Sequence, residues 1–235
     1  LASQETGKDT SFSAGVEAGT YYVYVDSPSY YHNDGEYSLT ATSAAGDISG
    51  VETEDNGSIS SADTLTSGNP IKGQLSNSTD VDIYSIVTTS TGTIDIAFDA
   101  PTDSSYTDYF GIVLSDGVNT LASQETGKDT SFSAGVEAGT YYVYVDTPSY
   151  YHSDGEYSLT ATSAAGDISG VETEDNGSVS SADTLTSGNS IKGQLSSSTD
   201  VDIYSIVTTS TGTIDIAFDA PTDSSYTDYF GIVLS

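Results

Sequence analysis

The chain repeats itself. Leu1-Ala-Ser-Gln-Glu-Thr-Gly-Lys returns as Leu121-Ala-Ser-Gln-Glu-Thr-Gly-Lys, an offset of 120 residues. Over the 115 overlapping positions only five differ: Ser27/Thr147, Asn33/Ser153, Ile59/Val179, Pro70/Ser190 and Asn77/Ser197. Such a period is too long for a solenoid, whose repeats run ~20–50 residues. It matches a self-sufficient domain of ~100–150 residues. The expected organisation is beads on a string, each with its own core. Near-identity of the copies points to a longer array.

Within a repeat the apolar residues alternate. Thr93–Phe98 puts Ile94, Ile96 and Phe98 on one face. Tyr21–Val25 places Tyr21, Val23 and Val25 inward and leaves Tyr22 and Tyr24 for the other face. Tyr37, Leu39 and Ala41 share a face, as do Phe110, Ile112 and Leu114. This is the period of two of half-buried strands. Turn signals such as Asp34-Gly35, Asn56-Gly57 and Asp116-Gly117 separate the runs. About eight strands per repeat are expected, near 10–15, 20–26, 36–43, 70–76, 81–89, 93–99, 107–115 and 119–125. A single helical turn is expected around Ser60–Leu65. The fold class is all-β, a tandem of jelly-roll-like β-sandwiches.

The stretch Gly46–Ser58 is acidic and without periodicity, which marks a junction between beads. One complete bead is expected over 48–166. Residues 1–47 then supply the C-terminal part of a preceding bead, and 167–235 the N-terminal part of a following one. The two partial beads are complementary in sequence. They are expected to complete each other through neighbouring copies, as in a fibre, or to belong to a longer chain.

Charge removes several function classes. There are 35 acidic residues against four lysines, no arginine, and a net charge of −31. Phosphate contacts need Lys and Arg, so nucleic acid is not an expected partner. Anionic membrane surfaces are disfavoured for the same reason. No run approaches the ~20 apolar residues of a membrane span. The absence of cysteine removes disulfides and thiolate chemistry together.

The order of motifs resembles the bacterial pre-peptidase C-terminal domain family. The likeness runs through Glu52-Thr-Glu-Asp-Asn-Gly57, Ala62-Asp63, Ile71-Lys-Gly73, Asp80-Val-Asp-Ile-Tyr-Ser-Ile86 and Gly92-Thr-Ile94. It continues through Ala138–Val145 and Gly155–Thr160. The resemblance implies a β-sandwich module on an extracellular or cell-surface protein. Arrays of near-identical acidic sandwiches also resemble the extender regions of large bacterial adhesins. A structural or adhesive role follows, in contact with neighbouring repeats and with assembly into a fibre as an option.

The same resemblance brings Glu52, Glu54, Asp55 and Asn56 near Asp80 and Asp82, and Glu172, Glu174, Asp175 and Asn176 near Asp200 and Asp202. Calcium needs six to eight oxygen ligands, which carboxylates and Asn carbonyls can supply. The cluster is a candidate calcium site that would stiffen the joint between beads; the alternative is a solvated acidic linker. Its spacing matches neither an EF-hand loop nor a glycine-rich β-roll.

Loop tyrosines give a second candidate. Tyr30, Tyr31 and His32, with Tyr106 and Tyr109, offer apolar ring faces beside polar groups, suited to a glycan or matrix protein. Packing at the sandwich ends is the plainer reading. There is no Gly-x-Ser-x-Gly elbow, no His-Glu-x-x-His and no phosphate-binding glycine loop. Nothing selects one carboxylate pair for catalysis, so an enzyme is not expected. Asn56, Asn77 and Asn176 each open a glycosylation sequon.

Overall fold

A computed structural model describes residues 11–16, 18–25, 36–46, 48–101, 109–148, 155–197, 199–220 and 230–235. Leu1–Ser205 form one unit and Ile206–Ser235 a second. In the second, the rings of Phe218 and Phe230 lie 5.1 Å apart.

The first unit contains a complete β-sandwich. Its strands are β1 (Asp63–Thr64), β2 (Pro70–Gly73), β3 (Val81–Thr88), β4 (Gly92–Asp99), β5 (Phe110–Ser115), β6 (Thr120–Thr126), β7 (Thr130–Val136), β8 (Gly139–Asp146) and β9 (Tyr157–Ala165). One sheet has the order β1-β3-β8-β5-β6 and the other β2-β9-β4-β7. All pairings are antiparallel except β1 with β3. Two further short strands, β10 (Asp183–Thr184) and β11 (Tyr204–Ser205), repeat the β1–β3 register in the next copy.

The alternation read from sequence sets the inward faces. Ile94, Ile96 and Phe98 of β4 meet Phe110, Ile112 and Leu114 of β5 across the core, with Tyr141, Val143 and Val145 from β8 and Leu159 from β9. Phe98 lies 5.2 Å from the rings of both Phe110 and Tyr157. The eight strands expected for a repeat all form here. The region expected to make a helical turn divides instead. Ile59–Ser61 is one 3-10 turn, and Asp63–Thr64 pairs in parallel with Tyr84 and Ser85. Leu65, just beyond, is buried and donates its N–H to Ser85 O. Burying that leucine draws the chain into the sheet rather than into another helical turn. Pro70 opens the edge strand β2, where its missing N–H costs no ladder bond.

Phe98→Ala is expected to cost about 3–5 kcal/mol in urea unfolding, because it empties a site walled by two other rings. Val87→Ala, on the exposed side of β3, should stay within about 0.5 kcal/mol.

Candidate functional site

β3 alternates, so Asp82, Tyr84 and Ile86 all point inward, and all three are buried. A carboxylate and a phenol therefore enter the sandwich on the same strand face. Tyr157, first residue of β9, brings a second phenol from the opposite sheet. Glu52 enters from the linker, where Glu52 N donates to Lys72 O and Lys72 N to Gly50 O, tying the linker to β2.

These four side chains form one hydrogen-bonded chain. Tyr84 Oη lies 2.6 Å from Glu52 Oε2, 2.6 Å from Tyr157 Oη, and Tyr157 Oη lies 2.6 Å from Asp82 Oδ2. Glu52 Oε1 accepts the main-chain N–H of Gln74 at 2.5 Å. Three short O···O contacts need three protons, and two hydroxyls supply only two. The third belongs to a carboxyl. Burial pushes both Glu52 and Asp82 above the usual carboxylate range, and for Asp82 the charge of Glu52 adds to it. The pair titrates as a unit. Asp82 Oδ1 is buried without a hydrogen-bond partner. The Lys72 ammonium is committed to Glu156, 2.5 Å away.

Gly73 makes this packing feasible. A Cβ there would sit 2.5 Å from the hydroxyls of both Tyr84 and Tyr157.

Outside the cluster, Glu54, Asp55, Asn56, Ser76 and Asp80 line a surface depression. Asp80 accepts from Ser76 N at 2.6 Å and Val81 N at 2.9 Å. Asp55 turns the linker with a left-handed φ of 76°, which Asp tolerates better than most residues. Glu54 is pushed up to about 7 by burial and by its acidic neighbours Asp80, Glu52 and Asp55. Asn56 is buried and donates to Asp63, which also accepts from Thr53 N and Thr53 Oγ1 at 2.8 and 2.7 Å. That buries the sequon asparagines Asn56 and Asn176, while Asn77 is exposed.

The next copy repeats the part of this arrangement made by Glu52, Tyr84, Gln74 and Asp82. Glu172 accepts from Tyr204 Oη at 2.7 Å and from Gln194 N. Asp202 Oδ1 is again buried without a partner. Burial raises Glu172 and Asp202, and Glu174 rises to about 7. Asp200 accepts from Ser196 N at 2.6 Å, and Asp175 repeats the left-handed turn.

The sequence-derived acidic set thus divides into two layers. Glu52 and Asp82 meet inside the sandwich, whereas Glu54, Asp55, Asn56 and Asp80 sit above them at the surface. Among the described residues, no three acidic or histidine side chains converge on one metal position. Tyr84, Tyr157, Gly73 and Asp63 are the partners not assigned from sequence. The signal for Tyr84 and Asp82 was present, since Asp82-x-Tyr84-x-Ile86 is one strand face. Tyr30, Tyr31, His32 and Tyr106 lie outside the described residues, and Tyr109 is half-buried beside β5.

Among solved structures the chain is similar to the pre-peptidase C-terminal domain of a collagenase from Bacillus anthracis. Identity is 26% over 43% of this chain and 94% of that one, with a TM-score of 0.35. It is also similar to a Podospora anserina GH26-CBM35 β-(1,4)-mannanase, at 13% identity over 48% of this chain and 26% of that one, TM-score 0.26. No family model and no curated protein matches the chain. The β-sandwich assignment stands on the strand order and registers themselves. Among the described residues no helix is long and apolar enough to cross a membrane.

The raised carboxyls have folded pKa values above their unfolded ones. The folded chain therefore holds more protons across that interval, and stability falls as pH rises through it. Without divalent cations the thermal midpoint should drop between about pH 5 and pH 8. Glu54→Gln should flatten part of that slope. An unchanged slope in Glu54→Gln would show that this carboxyl is already ionised at the lower pH.

Proposed function

We propose that this chain is part of a tandem array of non-catalytic β-sandwich modules in a secreted or cell-surface protein, with a structural or adhesive role and calcium held at the acidic face of each module. The observation that carries the reading is the crowding of Glu52, Glu54, Asp80 and Asp82, in which acidic neighbours raise the proton affinity of Glu54 and Asp82, repeated at Glu172, Glu174, Asp200 and Asp202. Without a metal, burial pushes Glu52, Glu54 and Asp82 towards the protonated form. A hard divalent cation offers the other resolution, and the donors here are the oxygen ligands it prefers.

The partnerless Asp82 Oδ1 and Asp202 Oδ1 fit that group. No three of these carboxylates converge on one position among the described residues, so the surface pair Glu54 and Asp80, with Asn56 and Asp55 adjoining, would have to close towards Glu52 and Asp82 to hold it. Calcium would supply positive charge in place of protons and bind the linker to the start of β3. Ligands must be deprotonated to bind, so affinity rises with pH while the metal-free fold weakens. Asp82 and Tyr84 are 0% exposed, so this pair is closed to a substrate.

The test is thermal unfolding of the 235-residue chain in calcium, magnesium or chelator at fixed ionic strength. At 100 times its dissociation constant a ligand adds about 2.7 kcal/mol. Calcium should raise the midpoint by several degrees more than magnesium, and the combined change Glu54→Gln and Asp80→Asn should abolish the difference. Equal responses to the two ions would leave the carboxylates as a solvated acidic surface.

A second reading is recognition of a glycan or matrix protein through tyrosines. Tyr142 and Tyr144 support it, half-exposed on the outer face of β8. Binding on a glycan array that is lost in Tyr142→Ala would favour it.

A further inference from the structure

The four-stranded sheet ends in β2 on one side and β7 on the other. Such edges carry unpaired backbone groups and normally need cover. The acidic linker lies against both kinds of edge. Val51 bridges Lys72 of β2 in parallel, and Val171 bridges Lys192 in the same way. On the linker's other side, Thr53 bridges Gly15 in parallel. Gly15 is the position that Gly135 of β7 occupies one repeat later. A linker thus lies between the β7 position of one repeat and the β2 edge of the next.

The second junction shows the same approach with side chains. A Cβ on Gly135 would come within 2.9 Å of Glu172 O and 3.6 Å of Ile168 Cβ, both in the following repeat. A Cβ on Gly15 would come within 2.6 Å of Glu52 O. The glycine is therefore required by the neighbouring repeat: the three nearest atoms that a Cβ at Gly135 would meet all belong to it. β6 contributes as well. Ser123 Oγ donates to Ser196 O at 3.4 Å, and Gln194 Nε2 donates to Ser123 O. The main-chain N–H of the same Gln194 is held by Glu172. One residue therefore joins the preceding bead to the acidic cluster of its own.

We propose that the β6–β7 edge of each repeat is a docking surface for the acidic linker of the following repeat, which acts as the strand splicing one four-stranded sheet to the next. The partner is the next copy of this repeat in the same chain. Gln194 and Gly135 are positioning residues of this joint. Successive beads are then held in one fixed orientation by main-chain contact. The inference rests on the tandem-array part of the function proposed above and is independent of calcium.

The chain has no cysteine, so two spin labels can be placed without background. Val87→Cys and Val179→Cys put them on exposed positions of the complete bead and of the following repeat. In the full chain, in chelator, the inter-label distance distribution should be single and narrow. Gly135→Leu and Gln194→Ala should each broaden it about twofold or more, since relative motion is the default once a domain interface is lost. Near-ultraviolet circular dichroism of the buried tyrosines should stay unchanged in both variants, showing an intact sandwich. A broad distribution in the parent chain, or a narrow one in both variants, would overturn the joint. Neither result bears on the calcium response, which is read from midpoints.

Discussion

Glu52 is held by both sheets at once. Its carboxylate takes a hydrogen bond from Tyr84 of the five-stranded sheet, and Tyr84 in turn meets Tyr157 of the four-stranded one. Gln74, just past β2, closes the other oxygen. The linker is thereby built into the end of the sandwich. Position, register and the orientation of the joint all follow from this contact, because the residues flanking Glu52 are the ones that bridge Lys72 and Gly15.

A buried acid pair is a costly device. Desolvation of a carboxylate outweighs most of what its hydrogen bonds return. Here the cost falls on protonation state: two acids and two phenols share their protons along a chain of short contacts. Hydrophobic packing beside it supplies the compensation, with Phe98, Phe110 and Tyr157 in mutual ring contact. A net charge of −31 over the whole chain makes the arrangement sensitive to its ionic surroundings.

Much of the fold was legible in the residues. Alternation in 93–98 and 110–114 located strands and their inward faces, because side chains in a strand alternate strictly. The acidic positions were equally visible. Their division into a buried and a surface layer was not, although Asp82-x-Tyr84-x-Ile86 carried the hint. Tyr157 is the repeat counterpart of Tyr37, which alternation places on one face with Leu39 and Ala41. Its hydroxyl reaches Glu52 across 105 positions of sequence, and no local pattern encodes that meeting. Around Ser60–Leu65 the expected turn forms only over Ile59–Ser61, because local propensity there is weak and burial of Leu65 draws the rest into the sheet.

The duplicated segments separate the two kinds of information. Ala18–Val25 and Ala138–Val145 are identical in sequence. In the second, Val143 and Val145 are 0% exposed within β8; in the first, Val23 and Val25 are 57% and 53% exposed, and the described residues form no strand. β8 lies between β3 and β5 in its sheet, and among the described residues no strand pairs with the first segment in that way. By itself the sequence determined the period, the strand alternation and the placement of acid beside the junction, since each is a local property of the chain. Tertiary structure alone decided which of those segments become strands and which carboxylates share a proton, since a strand needs a partner for its backbone and a buried acid needs neighbours that only long-range pairing brings.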